Sequence, residues 1–415
     1  MEKYLDIIVQ KYGGSSLANP KQISSIANKI VTKFNEGNKI VVIVSAMGKT
    51  TDELIELANS ITKTPSPREL DLLLSTGELI SCTLMAMAIK SLGFNAISLS
   101  GAQAGIKTDT RYGKAKISGI DPQRIKNELE KNNIVIIAGF QGVTDKMDTT
   151  TLGRGGSDTT AVAIAAALNA KQCEIYTDVD GIYTADPRLV PKAKKLSAIG
   201  FNEMLEMASY GAKMNPRSIE MGLAYNIPIL VASSFNNEIG TIIKKEEEID
   251  MEIHEYRNRV NGITTEKDVA KITILQIADK PEITAKIFET ISDANINVDV
   301  IVKNTSINSK TDLTFTVKQS DLKAAINIME KVINDFKGSN IISKTNLAKI
   351  SIIGTGMQDS PGYATKMFKS LATNNINIDM ITTSEIRITC IIKESDLKLA
   401  AQSLHSEFKL DRDIT

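Results

Sequence analysis

The fold of this chain is decided by the stretch Lys11-Tyr12-Gly13-Gly14-Ser15-Ser16, which follows the apolar run Leu5–Val9. A strand that ends in a lysine and a Gly-Gly turn is suited to phosphate, because glycine lets backbone N–H groups approach anionic oxygens closely. A following helix N-terminus adds positive potential, and the lysine adds a full charge. The same glycines also suit a plain strand-to-helix turn, so this stretch alone leaves both interpretations open.

The length and the net charge of the chain limit the classes of function that it could have. The chain has 415 residues, with 49 Lys+Arg and 49 Asp+Glu, which suggests two or three domains and zero net charge. Zero net charge argues against a protein held to nucleic acid or to a membrane surface by bulk electrostatics. No apolar run reaches the roughly 20 residues of a membrane helix, and the N-terminus has no signal-peptide pattern. We therefore expect a cytoplasmic protein without nucleic-acid or membrane partners.

Few residues are suited to metal or histidine chemistry. Cys82, Cys173 and Cys390 lie far apart in sequence, and we expect them to be small buried core side chains of a protein in a reducing compartment. His254 and His405 are the only histidines, and neither lies in a motif. A histidine base or a protein-held metal is therefore not expected.

The first part of the chain alternates between strand and helix patterns. Short runs rich in apolar or β-branched residues predict strands at Leu5–Val9, Ile40–Val44, Asn95–Leu99, Ile134–Ala138, Cys173–Thr177 and Ile227–Val231. Helical patterns lie at Pro20–Phe34, Asp52–Ser60, Leu79–Leu92, Thr159–Asn169 and Asn202–Ser209. Asn19 before Pro20 is a typical N-cap, and the Thr159 helix is apolar on every side, as in a core. This alternation predicts a mostly parallel sheet covered on both faces.

The tail contains an internal repeat. Ala270-Lys271-Ile272-Thr273-Ile274 matches Ala348-Lys349-Ile350-Ser351-Ile352, and two further pairs of segments match in the same order. Each copy reads strand, turn with proline, helix, strand, hairpin and helix, which predicts a small α+β sandwich. Such a duplicated module could serve as a dimerisation surface or as a ligand sensor.

A second glycine loop, Gly153-Arg154-Gly155-Gly156-Ser157-Asp158, precedes the Thr159 helix. A glycine turn with Ser157 or Asp158 as N-cap would explain most of it, but not the arginine. Arginine on a loop before a helix suits bidentate binding of a carboxylate. Asp178-Val179-Asp180-Gly181 lacks the acidic spacing of a calcium loop, but it follows a strand end, where open α/β sheets bind ligands.

Together these stretches resemble the aspartate kinases of the amino acid kinase superfamily over nearly the whole chain. The resemblance rests on Val9–Ser16, Val44–Gly48, Ser75–Glu78, Phe140–Gly142, Thr151–Thr160 and Asp178–Arg188, and the tail resembles tandem ACT domains. It implies a three-layer αβα amino acid kinase sandwich followed by two ferredoxin-like ACT domains. The implied boundaries are 1–243 for the kinase domain, 244–264 for a linker, and 265–342 and 343–415 for the ACT domains.

The resemblance implies transfer of the γ-phosphoryl group of Mg-ATP to the β-carboxylate of L-aspartate, with Mg²⁺ held mainly by the ATP phosphates. Lys11 would contact the phosphoryl group, with N–H groups of Gly13 and Gly14, and Asp158 would organise them. The implied ATP-binding residues are Lys11, Tyr12, Gly13, Gly14, Thr177, Asp178, Tyr183, Asp186, Arg188, Lys213 and Met214. After Lys213 the sequence departs from the family's apolar run, and Pro216 is expected to shift the helix start. The implied aspartate-binding residues are Ser45, Thr51, Glu78, Arg154, Gly155, Gly156 and Ser157.

The resemblance also implies regulation by lysine or threonine and a homo-oligomer of at least two chains built through the ACT repeats. The implied regulatory residues are Asp279, Glu282, Asn297, Asp299, Lys303, Asn377, Ile378 and Ser384. The first repeat departs from the family, because Glu282 stands where a glycine is typical, whereas the second repeat keeps glycine in Asp359-Ser360-Pro361-Gly362. Lys303 could neutralise Glu282, and threonine inhibition through this site is expected to be weak or absent.

Three alternatives remain at this stage. A different amino acid kinase, acting on acetylglutamate, glutamate or a nucleotide, is disfavoured by the duplicated tail and by Glu78 in its Thr-Gly-Glu setting. A catalytically inactive amino-acid sensor would be supported by loss of Lys11, Arg154 or Asp158, and all three are present. A structural dimerisation protein leaves Arg154 and Glu78 unexplained.

Overall fold

A computed structural model describes residues 6–249, 260–304, 309–333, 340–355, 357 and 362–412. The chain forms two compact units, and both are discontinuous. The N-terminal unit contains Met1–Ile182, Lys195–Ala208 and Lys213–Glu255, and the C-terminal unit contains the rest. The C-terminal unit therefore includes two short segments, Tyr183–Lys194 and Ser209–Ala212, from within the predicted kinase domain.

The N-terminal unit is built on an eight-stranded sheet. Its strands and those of a smaller sheet are β1 (Ile7–Tyr12), β2 (Lys39–Val44), β3 (Ala96–Leu99), β4 (Ile106–Thr108), β5 (Ile117–Ile120), β6 (Ile134–Ala138), β7 (Gln141–Val143), β8 (Thr149–Thr151), β9 (Gln172–Thr177), β10 (Ala198–Gly200), β11 (Ile229–Ser233) and β12 (Thr241–Lys244). The large sheet has the order β10-β12-β11-β9-β1-β2-β6-β3. All its pairings are parallel except β11 with β12. The prediction of a mostly parallel sheet is confirmed.

Helices of this unit follow the predicted alternation. They are α1 (Pro20–Asn35), α2 (Thr50–Ile61), α3 (Pro67–Ser91), α4 (Gln123–Glu130), α5 (Gly156–Ala167), α6 (Phe201–Ser209) and α7 (Pro216–Tyr225). Asn19 caps α1 by accepting from the Gln22 N–H at 3.0 Å, as predicted. Helix α5 is buried on nearly every side, also as predicted. A four-residue 3-10 helix, Gly14–Leu17, separates the first glycine turn from α1.

Helix α3 is longer than predicted, because it begins at Pro67 rather than at Leu79. It also corrects the expectation about membranes: among the described residues, it is long and apolar enough to cross one by length and composition. Half of that apolar window is buried, and α3 packs against α1, β3 and β6. Two of its buried residues are the acids Asp71 and Glu78, so we interpret α3 as a core helix.

A second, four-stranded sheet, in the order β5-β4-β7-β8, was not predicted from the sequence. Its strands have only three or four residues each, so they carry little alternating pattern. β8 ends at Thr151, directly before the second glycine loop. This small sheet therefore supports the loop that carries Arg154.

The C-terminal unit forms one six-stranded sheet in the order β14-β15-β13-β16-β18-β17. Its elements are β13 (Gly262–Ala278), α8 (Pro281–Asp293), β14 (Ile301–Lys303), β15 (Lys310–Lys318), α9 (Leu322–Ile333), β16 (Asn340–Ile353), α10 (Tyr363–Thr373), β17 (Met380–Ser384), β18 (Arg387–Lys393) and α11 (Leu397–Glu407). This order repeats the predicted pattern twice, so the ACT architecture is confirmed.

The two repeats share their central strands. Gly262–Glu266, at the start of β13, pair with Lys349–Ile353 of the second repeat, whereas Lys271–Leu275 pair with Asn340–Lys344 of the first. The fourth strand of the second repeat thus precedes the first repeat in sequence. The predicted boundaries at 264/265 and 342/343 remain a prediction, although this pairing interlocks the two repeats rather than placing them end to end.

Two ion pairs join the repeats, each between an aspartate of one repeat and a lysine of the other. Asp299 of the first repeat pairs with Lys349 of the second, and Asp379 of the second pairs with Lys271 of the first at 3.6 Å. The two lysines and the two aspartates occupy matching positions in the repeated sequence. Lys349 is almost buried and also contacts Glu266 at 2.7 Å.

The segment Tyr183–Lys194 belongs to the core of the second repeat. Ala185 and Val190 are buried in the same hydrophobic cluster as residues of β16, β18 and α11. The Thr184 hydroxyl lies 2.9 Å from Nε2 of buried His405, and Gln402 donates to the Leu189 carbonyl at 2.9 Å. This segment is therefore held by α11.

Candidate active site

The residues predicted in the N-terminal unit gather at one edge of the large sheet. Tyr12 at the end of β1 pairs with Val44 at the end of β2 and with Tyr176 near the end of β9. Val44 pairs in turn with Ala138 at the end of β6. The loops that follow these strands therefore leave the same edge, which is where parallel sheets bind ligands.

Lys11 and Asp158 form an ion pair at this edge. Lys11 Nζ lies 2.6 Å from Asp158 Oδ1, and both side chains are largely buried. Asp158 lies in the first turn of α5, where a carboxylate and a bound anion are both favoured by the helix dipole. A Cβ at Gly13 would lie 3.5 Å from the same Nζ. The ammonium group is therefore held beside the first glycine turn.

The glycine turn itself differs in two ways from the prediction. The Gly13 N–H donates to the Tyr176 carbonyl at 3.3 Å, so this N–H is already engaged, and only Gly14 remains as a predicted donor to phosphate. The Tyr12 side chain is fully buried and stacks on Tyr176 with ring centroids 4.9 Å apart, so only its backbone could reach a nucleotide. A Cβ at Gly14 would lie 2.7 Å from the Ala46 carbonyl oxygen, which explains the glycine.

Glu78 is a buried carboxyl group that points at the loop after β2. Its Oε1 accepts from the Ala46 N–H at 3.1 Å, and its Oε2 is buried without a hydrogen-bond partner among the described residues. Burial raises the pKa of Glu78 to about 7, although the Ala46 N–H works in the opposite direction. Such a group is suited to accept from a cation that enters the site. Ser45 and Thr51, on the same loop and at the start of α2, are partly exposed.

The second glycine loop, residues 152–156, leads into α5. Its N-cap is Gly155, which has a left-handed conformation with φ of 70°. The expectation that Ser157 or Asp158 caps the helix is therefore wrong, because both lie inside the first turn. Ser157 is buried against Gly139, and the Arg154 side chain is exposed. Arg154 is thus free to reach a ligand carboxylate.

Asp71 is a residue of this site that the sequence analysis missed. It is buried on α3 and accepts from the Gly113 N–H, the Thr151 N–H at 2.8 Å and the Thr151 hydroxyl at 2.7 Å. It therefore ties α3 to the strand that enters the glycine loop. An aspartate within the apolar run Leu70–Leu74 was the available signal, since a charge is rarely buried without partners.

Eight of the eleven predicted nucleotide residues lie in the N-terminal unit, and four of them are outside the Lys11–Gly14 stretch. Thr177 is the last residue of β9 and Asp178 follows it, with Asp178 Oδ2 3.4 Å from Lys213 Nζ. Burial alone would raise the pKa of Asp178, but the charge of Lys213 and the hydrogen bonds from Thr177 and Lys213 together outweigh it, so the net pKa is lowered. Met214 is buried next to Lys213. Pro216 is the first residue of α7, and a shift of the helix start relative to the family stays a prediction.

The other three nucleotide residues belong to the C-terminal unit. Asp186 and Arg188 form an ion pair at 2.6 Å, and the Asp186 carboxylate also accepts from the Arg188 N–H at 2.9 Å. Tyr183 is partly exposed in the same segment. These residues form a compact turn of their own.

Most of the predicted regulatory residues are partly or fully exposed in the C-terminal unit. Lys303 pairs with Asp279 at 2.6 Å rather than with Glu282, which corrects the expected neutralisation. Glu282 lies exposed in the first turn of α8. Asn297 and Asn377 are exposed, and the second set also includes Ile378 before β17 and Ser384 at its end. Asp359, Ser360 and Pro361 lie outside the described residues, whereas Gly362 caps α10.

Comparison with known proteins found two matching family models. The model described as the amino acid kinase family matches residues 6–233, and the ACT domain model matches residues 275–332 and 350–408. The aspartokinase of Corynebacterium glutamicum is 47% identical over 408 residues, covering 97% of this chain and 96% of that protein. The aspartokinase 2 of Bacillus subtilis is 43% identical over 409 residues, covering 98% and 99%.

Solved structures show the same similarity. Escherichia coli aspartokinase III in complex with aspartate and ADP, in its R-state, has a TM-score of 0.79 and 25% identity, covering 97% of this chain and 99% of that chain. The structure of Escherichia coli aspartokinase III with lysine and aspartate, in its T-state, has a TM-score of 0.76 at the same identity and coverage.

Proposed function

The chain belongs to the aspartate kinases of the amino acid kinase family, and we propose that its product is 4-phospho-L-aspartate, the first intermediate toward lysine and diaminopimelate, threonine and methionine. The observation that carries the proposal is the ion pair between Lys11 and Asp158 at 2.6 Å. It brings an ammonium group to a helix N-terminus, an arrangement suited to the charge on a transferring phosphoryl group.

In the proposed step, an oxygen of the aspartate β-carboxylate attacks the γ-phosphorus of ATP. A new O–P bond forms while the bond from the γ-phosphorus to the β,γ-bridging oxygen breaks, and that electron pair leaves with ADP. A carboxylate is ionised at neutral pH, so the nucleophile needs no base. What remains for the protein is positioning and charge stabilisation, which Lys11 and the N–H of Gly14 are placed to provide.

The two ends of the amino acid would be bound by two different groups. The Glu78 carboxyl, with Oε2 unpartnered among the described residues, would accept from the substrate ammonium group. The Arg154 guanidinium would bind the α-carboxylate through two parallel hydrogen bonds. Ser45, Thr51 and Ser157 would complete this subsite, with Gly155 and Gly156 leaving room for it.

ATP would bind as its magnesium complex. Across the described ranges, no group of three or more His, Cys, Asp or Glu side chains is arranged to hold a metal ion. The donor set therefore fits a Mg²⁺ ion carried mainly by the ATP phosphates, where it would neutralise charge on the transferred group. Thr177, Asp178, Lys213 and Met214 would line the nucleotide pocket, and nucleotide contacts by Tyr183, Asp186 and Arg188 stay a prediction from the sequence.

The function is tested by trapping the acyl phosphate with hydroxylamine, which converts it to a hydroxamate that forms a coloured complex with added Fe³⁺. L-Aspartate, L-glutamate, N-acetyl-L-glutamate and UMP are offered separately with Mg-ATP, and ADP release is followed in parallel. We expect hydroxamate and ADP with L-aspartate at rates far above the others. Faster turnover of any other acceptor would overturn the assignment.

We further propose that an amino-acid effector, lysine, acts through the ACT repeats. The exposed Glu282 places a carboxylate at the start of α8, where the helix dipole would otherwise attract the carboxylate of an effector. Threonine should therefore inhibit weakly or not at all, and Glu282→Gly should gain threonine sensitivity. Strong threonine inhibition of the wild type would contradict this.

Assembly is proposed to be at least a dimer, formed through residues 265–410 of the ACT repeats, and the enzyme is proposed to act in the cytoplasm. The edge strands β14 and β17 leave the sheet of the described residues open at both ends. Unpaired sheet edges are ready sites for pairing with another chain. Light scattering that gives the mass of a single chain at micromolar concentration would refute the dimer.

A further inference from the structure

Asn215 uses both ends of its side-chain amide. Its Oδ1 accepts from the Arg217 N–H at 2.9 Å, which caps α7, and its Nδ2 donates to the Arg154 carbonyl at 3.0 Å. The amide lies so close to Gly155 that a Cβ on that residue would overlap it. One side chain therefore fixes both the start of a helix and the backbone of the glycine loop.

The other carbonyl oxygens of the glycine loop are also held. Arg217 Nη1 donates to the Leu152 carbonyl at 2.8 Å. The Gly153 carbonyl accepts from the Gly156 N–H at 2.9 Å, and the Gly155 carbonyl accepts from N–H groups in the first turn of α5. Asn215 supplies the donor for the one remaining carbonyl oxygen of the loop, which is that of Arg154.

The backbone conformation of the loop explains why the hydrogen bond from Asn215 matters for ligand binding. Gly153 and Gly155 have φ of 78° and 70°, and Arg154 between them is not among the residues with positive φ. Such alternation turns successive N–H groups toward one side, where they can meet an anion. Rotation of the peptide after Arg154 would destroy the alternation and redirect the guanidinium, and the bond from Asn215 opposes that rotation.

We propose that Asn215 is a positioning residue for aspartate binding, which acts through Arg154 and links its loop to the segment that carries Lys213. The proposal rests on the proposed function. Only Met214 separates Lys213 from Asn215 in sequence, so the same short segment carries a nucleotide contact and a support for the aspartate subsite. Asparagine is suited to this position because it offers one acceptor and one donor at once.

The chain provides a matched control for the capping role. Asn19 precedes Pro20 as Asn215 precedes Pro216, and each asparagine caps its helix through Oδ1. Serine and aspartate cap helices about as well as asparagine, but neither supplies the amide donor. Asn215→Ser therefore keeps the cap and removes the bond to the Arg154 carbonyl, and Asn215→Asp does the same while adding a negative charge. Asn19→Ser and Asn19→Asp make the same two changes at a helix cap alone.

The experiment measures the KM for aspartate, the KM for ATP, kcat and the melting temperature for these four variants, with calorimetric titration of aspartate as a binding readout. We expect both Asn215 variants to raise the aspartate KM and Kd by about three- to tenfold, the scale of one lost hydrogen bond. The KM for ATP should change by less than about twofold, and both Asn19 variants should match wild type. An aspartate KM within twofold of wild type in both Asn215 variants would overturn the proposal.

A double-mutant cycle shows whether Asn215 acts through Arg154. In the Arg154→Lys background, Asn215→Ser should raise the aspartate KM by less than about twofold, because its effect is already lost. The full effect in that background would mean a route that bypasses Arg154 and would overturn the proposal. Failure of the wild type to phosphorylate aspartate would instead refute the proposed function, so the two failures are distinguishable.

Discussion

Glu78→Gln is the substitution whose effect on stability follows most directly from the structure. The Glu78 side chain is about 3% exposed, and burial raises its pKa to about 7 from an ordinary value of 4.5. Glutamine keeps the oxygen that accepts from the Ala46 N–H and removes the ionisable group. The substitution therefore tests how much free energy the buried charge costs when no substrate is bound.

The sign and size of the expected change in unfolding free energy follow from proton linkage. Because the folded protein holds this proton more tightly than the unfolded chain, Glu78 favours folding below its unfolded pKa, and that advantage is lost as the pH rises through about 7. The difference of two to three pKa units corresponds to about 3 kcal/mol. Glu78→Gln should therefore gain about 3 kcal/mol of stability relative to wild type between pH 4.5 and pH 8.

The assay is urea denaturation of wild type and variant from pH 4.5 to pH 8, followed by far-UV circular dichroism. Glu53→Gln is the control, because Glu53 is exposed on α2 and its substitution should leave the pH dependence unchanged. The same Glu78 variant should lose most of its affinity for aspartate. A difference in unfolding free energy that does not change with pH would refute the assignment of a raised pKa to Glu78.

Four further substitutions test the remaining parts of the account. Lys11→Ala should lower kcat by about 100-fold or more while leaving the melting temperature nearly unchanged, and near-normal turnover would contradict its role. Arg154→Lys should raise the aspartate KM about tenfold or more and move the KM for ATP little, because the planar fork is lost and the charge is kept. Lys349→Met should destabilise the C-terminal unit by about 1–3 kcal/mol, since it removes a buried cation that pairs with both Asp299 and Glu266. Lys344→Met removes a more exposed lysine and leaves Asp379 paired with Lys271, so it should cost less than about 1 kcal/mol. Equal melting temperatures for these last two variants would contradict the importance of burial at Lys349.

The position of the site could be predicted because parallel strands place their carboxyl ends on one edge. Lys11 at the end of β1 and Asp158 after the second glycine loop are distant in sequence, yet strand order brings them to 2.6 Å. The motifs carry this information because glycine and charged residues are needed where loops approach phosphate. Helix caps with an Asn-Pro signal, such as Asn19, were also predictable from local chemistry.

Contacts that depend on tertiary packing could not be predicted in the same way. The strand Gly262–Glu266 lies before the first repeat in sequence, but it pairs with the second repeat and completes its sheet. No local sequence pattern predicts this pairing. The segment Tyr183–Lys194 resembles a nucleotide loop, but its Ala185 and Val190 pack in the core of the second repeat. Tyr12 was assigned to the nucleotide from its place in the motif, whereas strand alternation turns its ring into the core.

Residues that act through the backbone were missed for a related reason. Asp71 holds the strand that enters the glycine loop through the Thr151 N–H, and Asn215 holds the loop through the Arg154 carbonyl. Such backbone partners leave no residue-specific signal in a sequence. The wrong N-cap assignment for α5 has the same origin. Serine and aspartate are typical caps, but the left-handed Gly155 begins the helix before they are reached.

The central claim, attack of the aspartate β-carboxylate on the γ-phosphorus of ATP, is tested most directly by isotope transfer. L-Aspartate labelled with ¹⁸O in both β-carboxylate oxygens is incubated with the enzyme and Mg-ATP in the presence of hydroxylamine. Hydroxylamine attacks the carbonyl carbon of the acyl phosphate and releases phosphate that retains the bridging oxygen. The account predicts one ¹⁸O atom in each phosphate released, seen as a shifted ³¹P resonance, whereas phosphate without ¹⁸O would contradict it.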